Sequence, residues 1–208
     1  MLRMFIGPMY AGKTTTLMDM FHENETTKKV VLDFEMGVKC YEGVLKNHNN
    51  EQIHAIKCEK LYDTKCAYCA RGNLALSHDN ISVFGQPLFD PNKHSELFHI
   101  SNILWFADHI YINEAQFFPD LYDFVLDALK QQKNVYLYGL DGDFRQKKMG
   151  HILDLIPHCH EVVKLKSVCA KCQQDAIYSK RIIDSNVQYL PDESAYIPLC
   201  RLCFDTYI

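Results

Sequence analysis

Short apolar segments alternate with helix-like segments along much of the chain. Leu2–Ile6 is an apolar run that ends at a glycine, and residues 14–21 continue with helical spacing. Lys29–Phe34 is rich in apolar and β-branched residues, as buried parallel strands are. The order strand, loop, helix, strand predicts the start of an α/β domain.

The same alternation continues in the second half of the chain. Residues 109–112, 134–140 and 161–165 have the composition of strands. After Pro119, apolar side chains recur at the spacing of an amphipathic helix that covers a sheet. These side chains are Leu121, Phe124, Val125, Ala128 and Leu129. We therefore predict a doubly wound parallel sheet, an α/β fold, in residues 1–165.

Two regions depart from this alternation. Residues from about 58 to 101 mix Gly, Asn, His, Asp and Pro with little periodicity, which predicts a long excursion between core elements. Residues 166–208 place two cysteine pairs around a loop-forming stretch. This segment is expected to form a small second domain that a bound metal ion stabilises.

Composition narrows the class of protein. A chain of 208 residues can build one buried core and a small additional lobe. The formal net charge of -4 gives no basic field for a phosphate backbone, so long nucleic acid is not an expected partner. No run approaches the roughly 18 consecutive apolar residues of a membrane span. We expect a cytoplasmic protein with no membrane partner.

The first loop has the sequence of a phosphate-binding motif. Residues 7–14, GPMYAGKT, match G-x-x-x-x-G-K-[ST] between a predicted strand and a predicted helix. Glycine lets successive N–H groups point at phosphate oxygens, and the helix adds its positive end. Lys13 is expected to bridge the phosphates of ATP, and the Thr14 hydroxyl to bind Mg²⁺. The predicted phosphate-binding residues are Gly7, Pro8, Met9, Tyr10, Ala11, Gly12, Lys13 and Thr14.

Carboxylates follow two of the predicted strands. Glu114 comes directly after a strand, where open α/β sheets place their chemistry. A carboxylate near the γ-phosphate can take the proton of an acceptor hydroxyl, so Glu114 is the candidate catalytic base. The alternative is a solvated acid at a strand end. Asp141 and Asp143 follow the next strand and either assist Mg²⁺ or substrate binding or form a turn.

Six of the nine cysteines form three C-x-x-C pairs, which indicates metal binding in a reducing compartment. Two pairs supply four thiolates for a closed, structural zinc site, with disulfides or free thiols as the alternative. The four ligands would be Cys169, Cys172, Cys200 and Cys203. Cys66 and Cys69, together with Cys58 and His78, are a candidate second metal site of irregular spacing.

Several segments occur in the order found in one enzyme family. They are GPMYAGKT, INEAQFFPD, GLDGDF, VCAKC, YSKR and YIPLCRLC. Over residues 1–41 and 110–204 the chain resembles the zinc-binding thymidine kinases of the cellular and poxvirus-like type. The resemblance implies a P-loop α/β domain that binds ATP. It also implies a zinc-anchored lobe whose lasso loop closes over the nucleoside.

The resemblance assigns roles to individual residues. By the resemblance, Glu114 stands at the position of the family's general base for the 5′-hydroxyl. Asn113 stands where the family usually has Asp and would reach Mg²⁺ through water. The lasso is expected to contact the pyrimidine through its backbone, with core packing as the alternative role for the apolar positions. The implied nucleoside-binding residues are Met9, Phe117, Leu140, Phe144, Val187, Tyr189, Leu190 and Tyr196.

The chain departs from the family pattern at three further places. Pro191-Asp192 replaces the usual Gly-Gly of the lasso, which stiffens the backbone there. The D-x-R-Y element is reduced to residues 39–41, KCY, and lacks its arginine. Met149 replaces an aromatic residue. The altered lasso bears on base specificity. The changes at residues 39–41 and at Met149 remove one expected contact to the substrate or the phosphate.

The resulting expectation is phosphorylation of the 5′-hydroxyl of thymidine by ATP, with deoxyuridine as a further acceptor. The resemblance also implies a homotetramer that thymidine triphosphate inhibits. A P-loop ATPase, or a kinase for another nucleoside or nucleotide, is the first alternative. A nucleotide-sensing zinc module that has lost catalysis is the second, motivated by Asn113 and the altered lasso.

Overall fold

A computed structural model describes residues 1–38, 40–62 and 107–207 of the chain. The described strands are β1 (Leu2–Ile6), β2 (Lys29–Phe34), β3 (Tyr41–Lys46), β4 (Gln52–Cys58), β5 (His109–Asn113), β6 (Asn134–Gly139), β7 (Glu161–Lys164), β8 (Ser167–Val168), β9 (Asp175–Ala176), β10 (Tyr178–Arg181) and β11 (Tyr196–Leu199). The described α-helices are α1 (Lys13–Glu23), α2 (Leu121–Lys130) and α3 (Arg201–Asp205). Short 3-10 helices occupy Ala115–Phe117, Ile152–His158 and Glu193–Ala195.

Seven of the described strands form one sheet in the order β3-β4-β2-β5-β6-β1-β7. All pairings in this sheet are parallel except that of β3 with β4, which is antiparallel. The carboxyl ends of β2, β5, β6 and β1 therefore meet at one edge. Open parallel sheets bind their ligands at this edge.

The core lies on both faces of the sheet, because successive side chains of a strand point to opposite faces. Ile110 and Ile112 of β5 join one apolar cluster, which includes the buried face of α2. Tyr111 between them joins a second cluster with Leu17 and Met18 of α1. The two helices thus cover opposite faces, as a doubly wound sheet requires.

The parallel α/β prediction is confirmed, with strand and helix ends that differ by one or two residues. β2 has the predicted limits, and β6 and β7 each end one residue earlier than expected. The antiparallel hairpin of β3 and β4 was not predicted. It lies at the edge of the sheet, and only Leu45 of β3 is buried, so its sequence shows little periodicity.

The chain after residue 166 forms two small two-stranded sheets, β8 with β9 and β10 with β11. Their shared apolar cluster has three fully buried members, Cys169, Ala176 and Leu199. Most of the predicted excursion, including Cys66, Cys69 and His78, lies outside the described residues. The candidate second metal site is therefore still a sequence-based expectation.

Candidate active site

The loop between β1 and α1 forms the floor of the site. The backbone N–H of Gly7 donates to the carbonyl of Gly139 at 3.3 Å, which ties the loop to the end of β6. A Cβ atom at Gly7 would lie 2.4 Å from the carbonyl oxygen of Leu165, so only glycine fits there. Gly12 has φ of 76°, in the left-handed region that favours glycine. These constraints shape a loop of the phosphate-binding kind.

Lys13 is buried at the start of α1 and turns back over this loop. Its Nζ donates to the carbonyl oxygen of Pro8 at 2.7 Å and to that of Gly7 at 3.4 Å. Burial lowers the pKa of Lys13, while the nearby carboxylates of Glu114, Asp141 and Glu193 act in the opposite direction. A bound polyphosphate would likewise favour the charged form of the lysine.

Glu114 lies immediately beyond β5 and is half-buried. Its backbone has φ of 49°, an uncommon conformation for a residue other than glycine. Burial raises the pKa of the Glu114 carboxyl, and the positive charge of Lys13 partly opposes this shift. A hydrogen bond of 2.6 Å from Gln116 Nε2 holds carboxylate oxygen Oε2. A carboxylate with a raised pKa beside a buried lysine is suited to proton transfer.

Lys13 and Glu114 line the same open cleft, whose volume is about 570 Å³ including its mouth. The other lining residues come from the glycine loop, the β3–β4 turn, the end of β6 and the C-terminal segment. They are Met9, Tyr10, Ala11, Gly12, Thr14, Thr15, His48, Leu140, Tyr189 and Glu193.

The predicted nucleoside residues take different positions relative to the cleft. Three of them, Met9, Leu140 and Tyr189, line it directly. Phe117 packs against Tyr189, with ring centroids 4.5 Å apart. The side chain of Val187 is 53% exposed and is not among the described lining residues.

The remaining predicted residues lie in the lasso, which we define as residues 185–192, or beside it: Leu190 is in the lasso, and Phe144 and Tyr196 contact the arginine that holds it. Arg181 Nη1 donates to the carbonyls of Ser185 and Val187 at 2.9 and 2.7 Å, and its Nη2 to that of Gln188 at 2.9 Å.

The same guanidinium lies 3.7 Å from the centre of the Phe144 ring and donates to the Tyr196 hydroxyl at 3.1 Å. That hydroxyl in turn accepts from the N–H of Leu190 at 2.8 Å. One side chain, Arg181, therefore fixes the path of the lasso.

Asn113 ends β5 with its amide group engaged by a neighbouring strand. Its Nδ2 donates to Asp33 Oδ1 at 2.8 Å, and both side chains are buried. Lys57 of β4 forms an ion pair with the second oxygen of Asp33. The other atom of the amide, Asn113 Oδ1, is an acceptor and can take a hydrogen bond from a ligand or its water.

The two aspartates that follow β6 have separate partners. Asp141 forms an ion pair with Lys164 of β7. Asp143 Oδ1 accepts from the backbone N–H groups of Arg145 and Lys147 at 2.8 and 2.9 Å, which is the turn-forming role. Its Oδ2 accepts from Gln188 Nε2 at 2.9 Å and so connects this turn to the lasso.

The sulfurs of Cys169, Cys172, Cys200 and Cys203 lie within 4.8 Å of one another, and all four residues are free thiols. The sulfurs of Cys172 and Cys200 are 3.6 Å apart, which excludes a disulfide. Sulfurs about 2.3 Å from a tetrahedral zinc ion stand about 3.8 Å apart, so the cluster fits zinc.

The backbone around Cys169 favours a thiolate. Burial would raise the pKa of this thiol, but hydrogen bonds from the backbone of Cys200, Lys171 and Cys172 lower it to about 6. Hydrogen bonding to the sulfurs of Cys172 and Cys200 raises the pKa of Cys203 to about 12. Four thiolates this close repel one another unless a cation lies between them.

Sequence reasoning missed several residues of the site. Gln116 and Arg181 stand inside the segments INEAQFFPD and YSKR, but their roles depend on partners distant in sequence. Ser179 accepts a hydrogen bond from the backbone N–H of Met9 at 2.9 Å. His48 comes from the unpredicted hairpin, and Glu193 from the 3-10 helix beyond the lasso. The asparagine-rich stretch NHNN, residues 47–50, was the sequence signal for a turn at this point.

Comparison with known proteins identifies the family. The cytosolic thymidine kinase of Bos taurus is 26% identical over 206 residues, which is 98% of this chain and 71% of that protein. Thymidine kinase 1 of Dictyostelium discoideum is 27% identical over 99% of this chain and 78% of its own length. The thymidine kinase of sheeppox virus (strain KS-1) is 27% identical over 98% of this chain and 96% of its own length.

Among the helices of residues 1–38, 40–62 and 107–207, none has both the length and the apolar character to cross a bilayer.

The family model described as thymidine kinase matches residues 68–204, which is more than half of the chain. The chain belongs to the thymidine kinase family.

Proposed function

We propose that this protein transfers the γ-phosphoryl group of ATP to the 5′-hydroxyl of thymidine, and that deoxyuridine is a second acceptor. The observation that carries the proposal is the presence of Lys13 and Glu114 in one cleft under Tyr189 of the lasso. A phosphate-binding lysine and a carboxylate in the same cleft are the parts that phosphoryl transfer to an alcohol needs.

The roles of the residues follow from their positions. The glycine loop, residues 7–14, holds the triphosphate through its N–H groups, and Lys13 exchanges its carbonyl contacts for phosphate oxygens. Glu114 accepts the proton of the 5′-hydroxyl as that oxygen attacks phosphorus. Met9, Leu140 and Tyr189 supply apolar and aromatic surface for the nucleoside.

Two metals belong to this proposal. Thr14 would hold Mg²⁺ directly and Asn113 Oδ1 would hold it through water, and the ion would neutralise charge on the β- and γ-phosphates. Zinc would be held by the four clustered cysteines as a structural ion. We assign residues 1–165 to an ATP-binding domain and 166–208 to a zinc-bound lasso lobe. Cytoplasmic location, a homotetramer and inhibition by thymidine triphosphate complete the proposal and rest on family resemblance.

The test is incubation of the protein with ATP, Mg²⁺ and each of a panel of nucleosides, with products identified by mass. Thymidine should give the monophosphate, and Glu114→Gln should lower turnover by about 10²- to 10⁴-fold. Glu25→Gln removes an exposed carboxylate outside the cleft and is the matched control. ADP release without a phosphorylated nucleoside would contradict the proposal, as would full turnover by Glu114→Gln.

A further inference from the structure

The side chain of Gln116 connects the candidate base to the end of a second strand. Its Nε2 donates to Glu114 Oε2 at 2.6 Å, and its Oε1 accepts from the backbone N–H of Leu140 at 2.9 Å. Gln116 is 3% exposed, so water does not compete strongly for either bond. Glu114 follows β5 and Leu140 follows β6, so this single amide joins two walls of the cleft.

The orientation of the Gln116 amide is determined by its two partners. The Glu114 carboxylate needs a donor, and the Leu140 N–H needs an acceptor. Rotation of the amide by half a turn would place oxygen against the carboxylate and NH₂ against the N–H group, and both bonds would be lost. The oriented amide therefore engages Oε2 of Glu114 and not Oε1.

The backbone around Gln116 is shaped to admit it. The N–H of Phe117 bonds to the carbonyl of Glu114 at 3.0 Å, which turns the chain so that Gln116 points back toward the carboxylate. A Cβ atom at Gly139 would lie 2.4 Å from Gln116 Oε1, and one at Gly150 would lie 2.0 Å from the Gln116 carbonyl oxygen. Two glycines from separate segments thus leave the space that this residue fills.

We propose that Gln116 is a positioning residue, which holds one carboxylate oxygen of Glu114 so that the other meets the acceptor hydroxyl. This inference rests on the proposed phosphoryl transfer. Gln116 does not touch the reacting atoms, and its whole effect on turnover passes through Glu114. Free rotation of the carboxylate would misplace the base, and a displacement of about 1 Å can cost about 10²-fold in rate.

A double-mutant cycle tests the proposal. In the wild-type background, Gln116→Leu should lower kcat by about 10- to 100-fold, with the KM for ATP changed by less than about threefold. In the Glu114→Ala background the same substitution should change kcat by less than about twofold, because no carboxylate remains to be positioned. Single-turnover measurements at high enzyme concentration allow the rate constants of the slow variants to be determined. Gln131→Leu, at an exposed position after α2, is the matched control.

Gln116→Glu provides a second variant, whose ionised carboxylate keeps an acceptor for the N–H of Leu140 but has no N–H to donate to Glu114. It should also lose at least about tenfold in kcat while remaining folded at the assay temperature, although the second buried carboxylate beside Glu114 lowers its thermal midpoint. Equal losses from Gln116→Leu in both backgrounds would overturn the proposal, since packing alone gives that result. An unchanged kcat, or unfolding of both Gln116 variants, would overturn it as well.

The failure of this inference is distinguishable from failure of the proposed function. If the wild type phosphorylates no nucleoside, the function is refuted. If the wild type is active and the cycle is additive, the function stands and the role of Gln116 is refuted. The cycle is read with whichever nucleoside the wild type phosphorylates.

Discussion

At the scale of single residues, Asn113 is one of the positions at which this site departs from its family's pattern. The family usually has a carboxylate there. In this chain a buried carboxylate, Asp33, stands on the neighbouring strand, and Asn113 donates to it at 2.8 Å. Lys57 supplies the balancing charge. An Asp at position 113 would place two buried carboxylates side by side, and Lys57 could balance the charge of only one of them. The repulsion between the two carboxylates would destabilise the fold.

We therefore predict that Asn113→Asp lowers the free energy of unfolding by about 1–3 kcal/mol, since a donor is lost and a second carboxylate is buried. The double change Asn113→Asp with Asp33→Asn should recover most of this loss, because the donor and acceptor are exchanged. Urea unfolding curves measure both variants. Asn49→Asp, at an exposed position in the β3–β4 turn, is the control. Stability unchanged by Asn113→Asp alone would show that the bond contributes nothing.

At the scale of elements, the lasso depends on one buried arginine. The Arg181 fork bonds three lasso carbonyls and the Tyr196 hydroxyl, and its Nε is buried with no hydrogen-bond partner among the described residues. Lysine carries its donors on a single nitrogen and cannot reach the same set. The sequence placed Arg181 in a recognised segment, but only the fold brings those acceptors around it.

Arg181→Lys is expected to raise the KM for thymidine by about tenfold or more, because several charge-assisted bonds that fix the lasso are lost. The KM for ATP should change little, since the glycine loop is held by its own backbone contacts. Steady-state kinetics with each substrate varied in turn gives both constants. Arg3→Lys, at the amino end of β1, is the control. Equal increases in both constants would point to general destabilisation instead.

The elements also show what a sequence can predict. β1, β2 and β5 are continuous apolar runs and α2 has a clear helical period, and their predicted limits agree closely with the structure. The β3–β4 hairpin buries few side chains, so its pattern is weak, and His48 was missed with it. The position of Glu114 at a strand end was predictable from topology. The bond from Gln116 to Leu140 was not, because it spans 24 residues and depends on the packing of two strands.

At the scale of the whole molecule, hydrogen bonds connect the segment that carries the cysteine cluster to the cleft. The segment after residue 166 has a very small apolar core, so we expect a bound metal ion to stabilise it. Among the described residues, two hydrogen bonds join it to the glycine loop. The backbone N–H of Met9 donates to Ser179 Oγ at 2.9 Å, and the Tyr10 hydroxyl donates to the carbonyl of Glu193 at 2.8 Å. The cleft wall that Tyr189 and Glu193 form should therefore depend on metal bound at the cysteine cluster.

We predict that loss of zinc abolishes thymidine binding and leaves ATP binding within about threefold, because the seven-stranded sheet has its own core. Cys203→Ser, or a zinc-selective chelator followed by restored Mg²⁺, removes the metal. Metal content, limited proteolysis after residue 166 and calorimetric titration with each ligand measure the outcome. Cys159→Ser changes a half-buried cysteine outside the cluster and should retain both metal and binding. Thymidine affinity that survives complete zinc loss would show that the sheet alone holds the nucleoside, and that the four cysteines serve another purpose.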